Sequence, residues 1–117
     1  MNEQDTAVAE VGEISPTELK ERMDRDQPLV LVDVRERFER EIADLPDRGT
    51  RAIPVGEFMS RMDELDRDEP VVLYCRTGAR SRWAAERLVE DGFRSVWNLT
   101  GGVMGWRRDV DPSLPEY

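Results

Sequence analysis

The sequence has no histidine, one cysteine and one lysine, and each scarcity removes a class of chemistry. With Cys75 alone and no imidazole, no zinc or iron–sulfur site of ordinary ligand type can be assembled within one chain. A lone cysteine cannot close an internal disulfide, so nothing calls for an oxidising compartment and the cytoplasm is the expected location. No apolar run approaches the roughly 20 residues that span a bilayer. The opening Met1-Asn2-Glu3-Gln4-Asp5 is too acidic and polar for a secretory signal, so no membrane association is expected. Lys20 is the only lysine, which leaves sixteen of the seventeen basic residues as arginine. Against 26 acidic residues they give a formal charge of −9, which argues against a nucleic-acid partner, because phosphate contacts need clustered cations. A salt-rich cytoplasm and an arginine-favouring genome both account for this composition.

What is present suits one α/β domain. Apolar residues make up 38% of the 117, enough for a single core. Residues 1–12 show neither helical nor strand period and are expected to form a mobile lead-in to one domain over 13–117. Structure is expected to begin at Ser15-Pro16-Thr17-Glu18, a capping box with proline at the first helical position. Leu29-Val30-Leu31-Val32, ending in Asp33, reads as a strand buried on both faces. A short helical turn follows over Phe38–Ile42, a turn over residues 45–49 and a very short strand at Ala52-Ile53. A helix is expected from Pro54, with Phe58, Met62 and Leu65 on one face. The alternation continues with a strand over 71–75, a helix over 81–91 stopped by Gly92, a strand over 95–99 and a short helix with Met104 and Trp106. The tail from Asp109 to Tyr117 should be extended against the body. Strands alternating with helices imply a mostly parallel sheet covered on both faces, with the reactive end at the strands' carboxyl termini. Asp33 and Cys75 both fall there.

Cys75 ends one apolar run and opens Arg76-Thr77-Gly78-Ala79-Arg80-Ser81, where a helix starts. A thiol between a strand end and a helix N-terminus lies among backbone N–H groups, near the positive end of a helix dipole. Such a setting lowers a cysteine pKa from about 8.5 to roughly 3.5–7.5. Gly78 permits a tight turn over the sulfur, while Arg76 and Arg80 add positive charge that favours a thiolate and an anionic substrate. The bland alternative is a buried structural cysteine beside a surface loop; the glycine and two arginines weigh against it. The loop is read as solvent-reachable. Asp33 either supports that loop, bonding its N–H groups or Arg80, or only caps the turn after its strand. Arg35 either guides an anionic donor or lies solvated on the surface. The run Glu36-Arg37-Phe38-Glu39-Arg40-Glu41 reads as a solvated helix face with Glu–Arg pairs. Trp83, Trp97 and Trp106 suit packing better than base stacking. Gly101-Gly102 lacks the lysine and spacing of a phosphate loop.

Taken in order, Asp33-Val34-Arg35-Glu36, the run Cys75–Ser81, Gly92-Phe93 and Leu99-Thr100-Gly101-Gly102 with Trp106 resemble the signatures of single-domain rhodaneses, the sulfurtransferases. The resemblance covers about residues 13–117. It implies a rhodanese-like three-layer α/β fold in which Cys75 carries sulfur as a persulfide, with no cofactor and no metal. The loop Arg76, Thr77, Gly78, Ala79, Arg80 and Ser81 would hold the persulfide, with Asp33 and Arg35 in support. Thiosulfate or a cysteine desulfurase would supply the sulfur.

One departure narrows the likeness. Many rhodaneses carry a His-Ile-Pro-Gly-Ala-like stretch, where this chain has Glu41-Ile42-Ala43-Asp44-Leu45-Pro46 and Ala52-Ile53-Pro54-Val55-Gly56. With the tail Asp111–Tyr117, this is similar to the C-terminal rhodanese domain of enzymes that activate ubiquitin-like sulfur carriers in molybdopterin and thiamine synthesis. A sulfur-carrier protein would then be the acceptor, and a separate protein the activating enzyme. Three other functions remain open: a non-catalytic binding module, a cysteine-loop phosphatase or arsenate reductase, and a redox-sensing thiol. The phosphatase loops carry their arginine one residue beyond Arg80, at the position of Ser81 here.

Overall fold

The computed structural model describes residues 10–117; the first nine residues of the expected lead-in lie outside the described residues. Ser15 caps the first helix as its sequence predicts. Its Oγ accepts from the Glu18 N–H at 3.1 Å, and Glu18 Oε1 accepts from the Ser15 N–H at 3.1 Å. Two of the N–H groups that a helix start leaves without intrahelical partners are thereby satisfied. This helix, α1 (Pro16–Asp24), buries Leu19 and Met23 at the predicted spacing of four.

Ten elements matter for the site. The strands are β1 (Gly12–Ile14), β2 (Val30–Asp33), β3 (Arg51–Ala52), β4 (Val71–Tyr74) and β5 (Val96–Leu99). The other helices are α2 (Arg37–Ile42), α3 (Phe58–Arg61), α4 (Ala79–Glu90) and α5 (Gly102–Asp109). All strand pairs are parallel, in the order β1-β5-β4-β2-β3. From β2 the chain steps outward to β3, then returns to the far side of β2 to lay down β4. The connections therefore diverge between β2 and β4, and an open parallel sheet places its crevice at such a point. Asp33 pairs in register with Tyr74, so the residues that follow these strands leave the sheet side by side.

Two apolar clusters cover the sheet. One joins Val32, Val71, Leu73 and Cys75 to Phe58, Ala84, Ala85 and Leu88 of α3 and α4. The other joins Leu31, Val72 and Tyr74 to Leu19 of α1 and to Val103 and Trp106 of α5. Each fully buried leucine or phenylalanine contributes about 1.5–3 kcal/mol relative to exposure, so β4, buried at every residue, anchors both layers. Leu114 and Tyr117 of the tail pack on the second cluster as expected, but the tail is not extended throughout: Asp109 ends α5, and residues 111–114 turn, with the Leu114 N–H donating to the Asp111 carbonyl at 3.2 Å. Among the described residues no helix is long and apolar enough to cross a membrane.

Three local expectations change. The chain enters the sheet before Ser15: β1 pairs Gly12, Glu13 and Ile14 with Trp97, Asn98 and Leu99. A strand of three residues shows too little alternation to register as a period. The helix expected from Pro54 is broken into α3 and two flanking 3₁₀ turns, Val55–Glu57 and Met62–Glu64. Gly56 weakens its start, and Leu65 turns extended to reach the core. Finally, α4 begins at Ala79, two residues before the expected Ser81.

Candidate active site

Cys75 is the first residue beyond β4, and its side chain turns back beneath the loop that follows. Gly78 makes that turn with φ +114°. An added Cβ there would meet only ordinary 3.7 Å contacts, so the backbone angle and not space requires glycine. The turn aims two amides at the sulfur: Sγ accepts from the Gly78 N–H at 3.1 Å and the Ser81 N–H at 3.4 Å. The second of these belongs to the first turn of α4, whose N–H groups have no earlier carbonyl to bond.

From the far side the loop rests on α5. The Cys75 carbonyl accepts from Val103 N–H at 2.9 Å and the Arg76 carbonyl from Met104 N–H at 3.0 Å. Gly102 makes this approach fit, since a Cβ at that position would lie 2.3 Å from the Cys75 oxygen.

Cys75 is only 1% exposed, which corrects the expectation of a solvent-reachable thiol. The sulfur forms the floor of the loop and packs on the first core cluster. Burial pushes the thiol pKa up, but hydrogen bonds from Ser81 and from the Gly78 and Thr77 amides outweigh it and leave the pKa below its ordinary value.

The arginines are arranged differently from expectation. Arg80 forms a two-pronged ion pair with Glu39 of α2, at 2.7 and 2.9 Å. Arg76 is exposed; its guanidinium lies 5.2 Å from the centroid of the Tyr117 ring, and its Nε donates to the Tyr117 main-chain oxygen. Thr77 and Ala79 are exposed at the mouth.

Glu39 is buried, which corrects the reading of residues 36–41 as a wholly solvated face. Arg80 pulls its carboxyl pKa down to about 2, chiefly by hydrogen bonding.

Asp33 and Arg35 also require correction. Asp33 bonds neither Arg80 nor the loop amides. Its Oδ1 accepts from the Arg35 N–H at 3.0 Å and Nε at 2.9 Å, and its Oδ2 accepts from a terminal guanidinium nitrogen at 2.9 Å. The turn-capping alternative is thus the one observed, with an ion pair added. Arg35 is 1% exposed, which corrects the reading that it lies solvated on the surface. It also donates to the Ala43 carbonyl at 2.8 Å, Asp44 Oδ1 at 3.0 Å and the Tyr117 hydroxyl at 2.8 Å. A buried guanidinium with this many acceptors avoids the usual cost of a buried charge. Its effect here is to tie the segment after α2 and the tail beside the site.

Sequence reasoning missed four residues that shape this site. Glu39 was hidden in a charged run. Gly102 stood only within the Leu99–Gly102 signature and Tyr117 only at the end of the tail, neither with a role at the site. Asn98 did carry one, a polar residue within the apolar run of β5; it is 4% exposed, with Oδ1 accepting from the Ser81 hydroxyl at 2.6 Å.

The whole arrangement can hold a sulfur anion in a cradle of amides beside an arginine already neutralised. Comparison with known proteins agrees with the geometry. A model for the rhodanese-like domain matches residues 15–109. A sulfurtransferase of Allochromatium vinosum is 37% identical over 84% of this chain and 90% of its own length. The maize adenylyltransferase and sulfurtransferase MOCS3-1 is 31% identical over 92% of this chain but only 24% of its own length. The crystal structure of a rhodanese-like domain protein from Staphylococcus aureus superposes with TM-score 0.75 at 26% identity, covering 92% of this chain and 99% of that one. Both relatives carry a sulfur-transfer name over a span that includes the Cys75 loop, and by sequence and by fold this chain belongs to the rhodanese-like family.

Proposed function

We propose that the chain is a sulfurtransferase in which Cys75 is the nucleophile and carries sulfane sulfur as a persulfide. The Cys75 thiolate attacks the outer sulfur of thiosulfate. A new S–S bond forms on Cys75, the donor's S–S bond breaks, and its electron pair leaves on sulfite. A nucleophilic acceptor such as cyanide then takes the terminal sulfur, and the electrons of the broken Cys75 S–S bond restore the thiolate. The observation that carries this reading is the pair of N–H groups from Gly78 and Ser81 converging on one buried sulfur. Preset N–H donors stabilise the thiolate before attack and whenever it leaves.

The remaining loop residues, Arg76, Thr77, Ala79 and Arg80, would line the entry, while Asp33 and Arg35 support it from behind. Ser81 stands where the cysteine-loop phosphatases place their arginine, and Arg80 is taken up by Glu39, which favours sulfur over a phosphate oxyanion. A cysteine desulfurase persulfide is the alternative donor. A ubiquitin-like sulfur carrier in the cytoplasm is the proposed physiological acceptor. The maize relative, of which this chain matches about a quarter, pairs sulfur transfer with adenylation in its name, which agrees with that choice.

Thiosulfate-dependent thiocyanate formation by the wild-type chain and by Cys75→Ser tests the mechanism. Turnover should fall to background in the variant while the fold persists. Comparable turnover in both would remove Cys75 from the reaction.

A further inference from the structure

Asn98 sits in the middle of β5 with its carboxamide facing the loop. Nδ2 lies 3.2 Å from the Gly78 carbonyl and 3.5 Å from Glu13 Oε2, and Oδ1 lies 2.6 Å from the Ser81 hydroxyl. A carbonyl and a carboxylate only accept, so the amide nitrogen must face Gly78 and Glu13. The Ser81 hydroxyl also lies 3.4 Å from Cys75 Sγ and 3.3 Å from the Gly78 carbonyl, but Oδ1 is its nearest acceptor and takes its single hydrogen, leaving the Ser81 amide to bond the sulfur. Glu13 is itself fixed from β1, accepting from Arg82 at 2.6 Å and from the Thr100 hydroxyl at 2.9 Å.

Gly78 and Ser81, the two residues held by this one side chain, are the two whose N–H groups bond the sulfur. Gly78 stands at φ +114°, and glycine loses more conformational freedom on ordering than any other residue. A donor on its carbonyl fixes the peptide plane at one end of the cradle, and an acceptor on the Ser81 hydroxyl fixes the other.

We propose that Asn98 is a positioning residue of the Cys75 loop: its carboxamide clamps Gly78 and Ser81 so that their N–H groups are preset toward the sulfur. This rests on Cys75 being the nucleophile but not on which donor or acceptor it serves.

The test is the pH dependence of Cys75 alkylation by iodoacetamide in the wild-type chain, Asn98→Ala and Asn98→Leu. Asn98→Ala removes both contacts. Asn98→Leu removes them without leaving a cavity or adding charge, and it serves if the alanine variant fails to fold. Loss of the clamp should move the alkylation pKa upward by about 0.5–1 unit, the span of one or two ordinary hydrogen bonds. Below the pKa this is a roughly 3- to 10-fold slower reaction. A folded variant with an unchanged profile would overturn the proposal. A downward shift in Asn98→Ala would also overturn it, because the main effect of Asn98 would then be to divert the Ser81 hydrogen from the sulfur. Iodoacetamide reads the thiol whether or not it accepts sulfur. Failure of sulfur loading in the wild type with the expected shift present would therefore count against the proposed activity and leave the clamp standing.

Discussion

Burial and charge work against each other at Cys75. A thiol 1% exposed should favour its neutral form, and the desolvation of Cys75 does push that way. Hydrogen bonds from Ser81 and the loop amides reverse the outcome; Arg80, expected from sequence to favour the thiolate, does attract it through space, while Glu39 takes up much of its charge. Replacing Glu39 with glutamine should therefore unmask Arg80. Iodoacetate, an anion, should gain at least about 2-fold on neutral iodoacetamide in its rate with Cys75, consistent with a unit charge acting at partly screened distances. No gain would mean that Arg80 does not reach the sulfur electrostatically.

The same substitution has a pH signature. Glu39 has its pKa lowered from 4.5 to about 2 on folding, so its contribution to stability is full above pH 4.5 and fades as pH falls toward 2. Glu39→Gln should lower stability at neutral pH and flatten the acid limb, as followed by denaturant unfolding. Cys75→Ala should cost about 1 kcal/mol, because the thiol packs in the core rather than in an open loop. At this scale the turn of the Cys75 loop into α4 was legible in the sequence, because strand end, glycine and arginines are local signals. The sequence did not reveal that Arg35 is buried or that Glu39 takes Arg80, since the first depends on the segment after α2 closing on Arg35 and the second on α2 meeting the start of α4.

Among the elements, α5 has an effect that its short sequence does not advertise. Its first turn supplies N–H groups to the carbonyls of Cys75 and Arg76, so the loop is held between two helix starts. Gly102→Ala should be strongly disruptive. The position has φ +58°, and its new Cβ would lie 2.3 Å from a backbone oxygen, so α5 must shift away from the loop. A drop in Tm matching a loss of about 2 kcal/mol or more is expected, together with slower Cys75 alkylation. An unperturbed Tm would show that α5 does not buttress the loop. The capping box of α1 and the apolar runs of β2, β4 and β5 were legible because each is a contiguous pattern. In contrast, β1 was not, because Gly12-Glu13-Ile14 becomes a strand only by pairing with Trp97–Leu99, more than eighty residues away.

For the molecule as a whole, sheet order decides where chemistry is placed. The chain reverses direction between β2 and β4, and the segments after both strands, one ending in the Arg35 cluster and one in the Cys75 loop, meet at that crevice. The tail closes the arrangement: the Tyr117 hydroxyl meets Arg35 at 2.8 Å and Glu39 Oε1 at 3.2 Å, and its main-chain oxygen accepts from Arg76 Nε, so Tyr117 joins both sides of the site. The alternation of elements gave the parallel sheet away in the sequence. No local pattern could show the tail's partners, because they lie roughly eighty residues earlier in the chain.

The central claim is that Cys75 takes up sulfur, and intact mass before and after thiosulfate, beside Cys75→Ala, tests it most directly. The account predicts a gain of one sulfur atom that is removed by cyanide or dithiothreitol and absent from the variant. The same gain in Cys75→Ala would contradict it, as would no gain in a wild-type chain whose thiol is free and which also stays unloaded by a cysteine desulfurase persulfide.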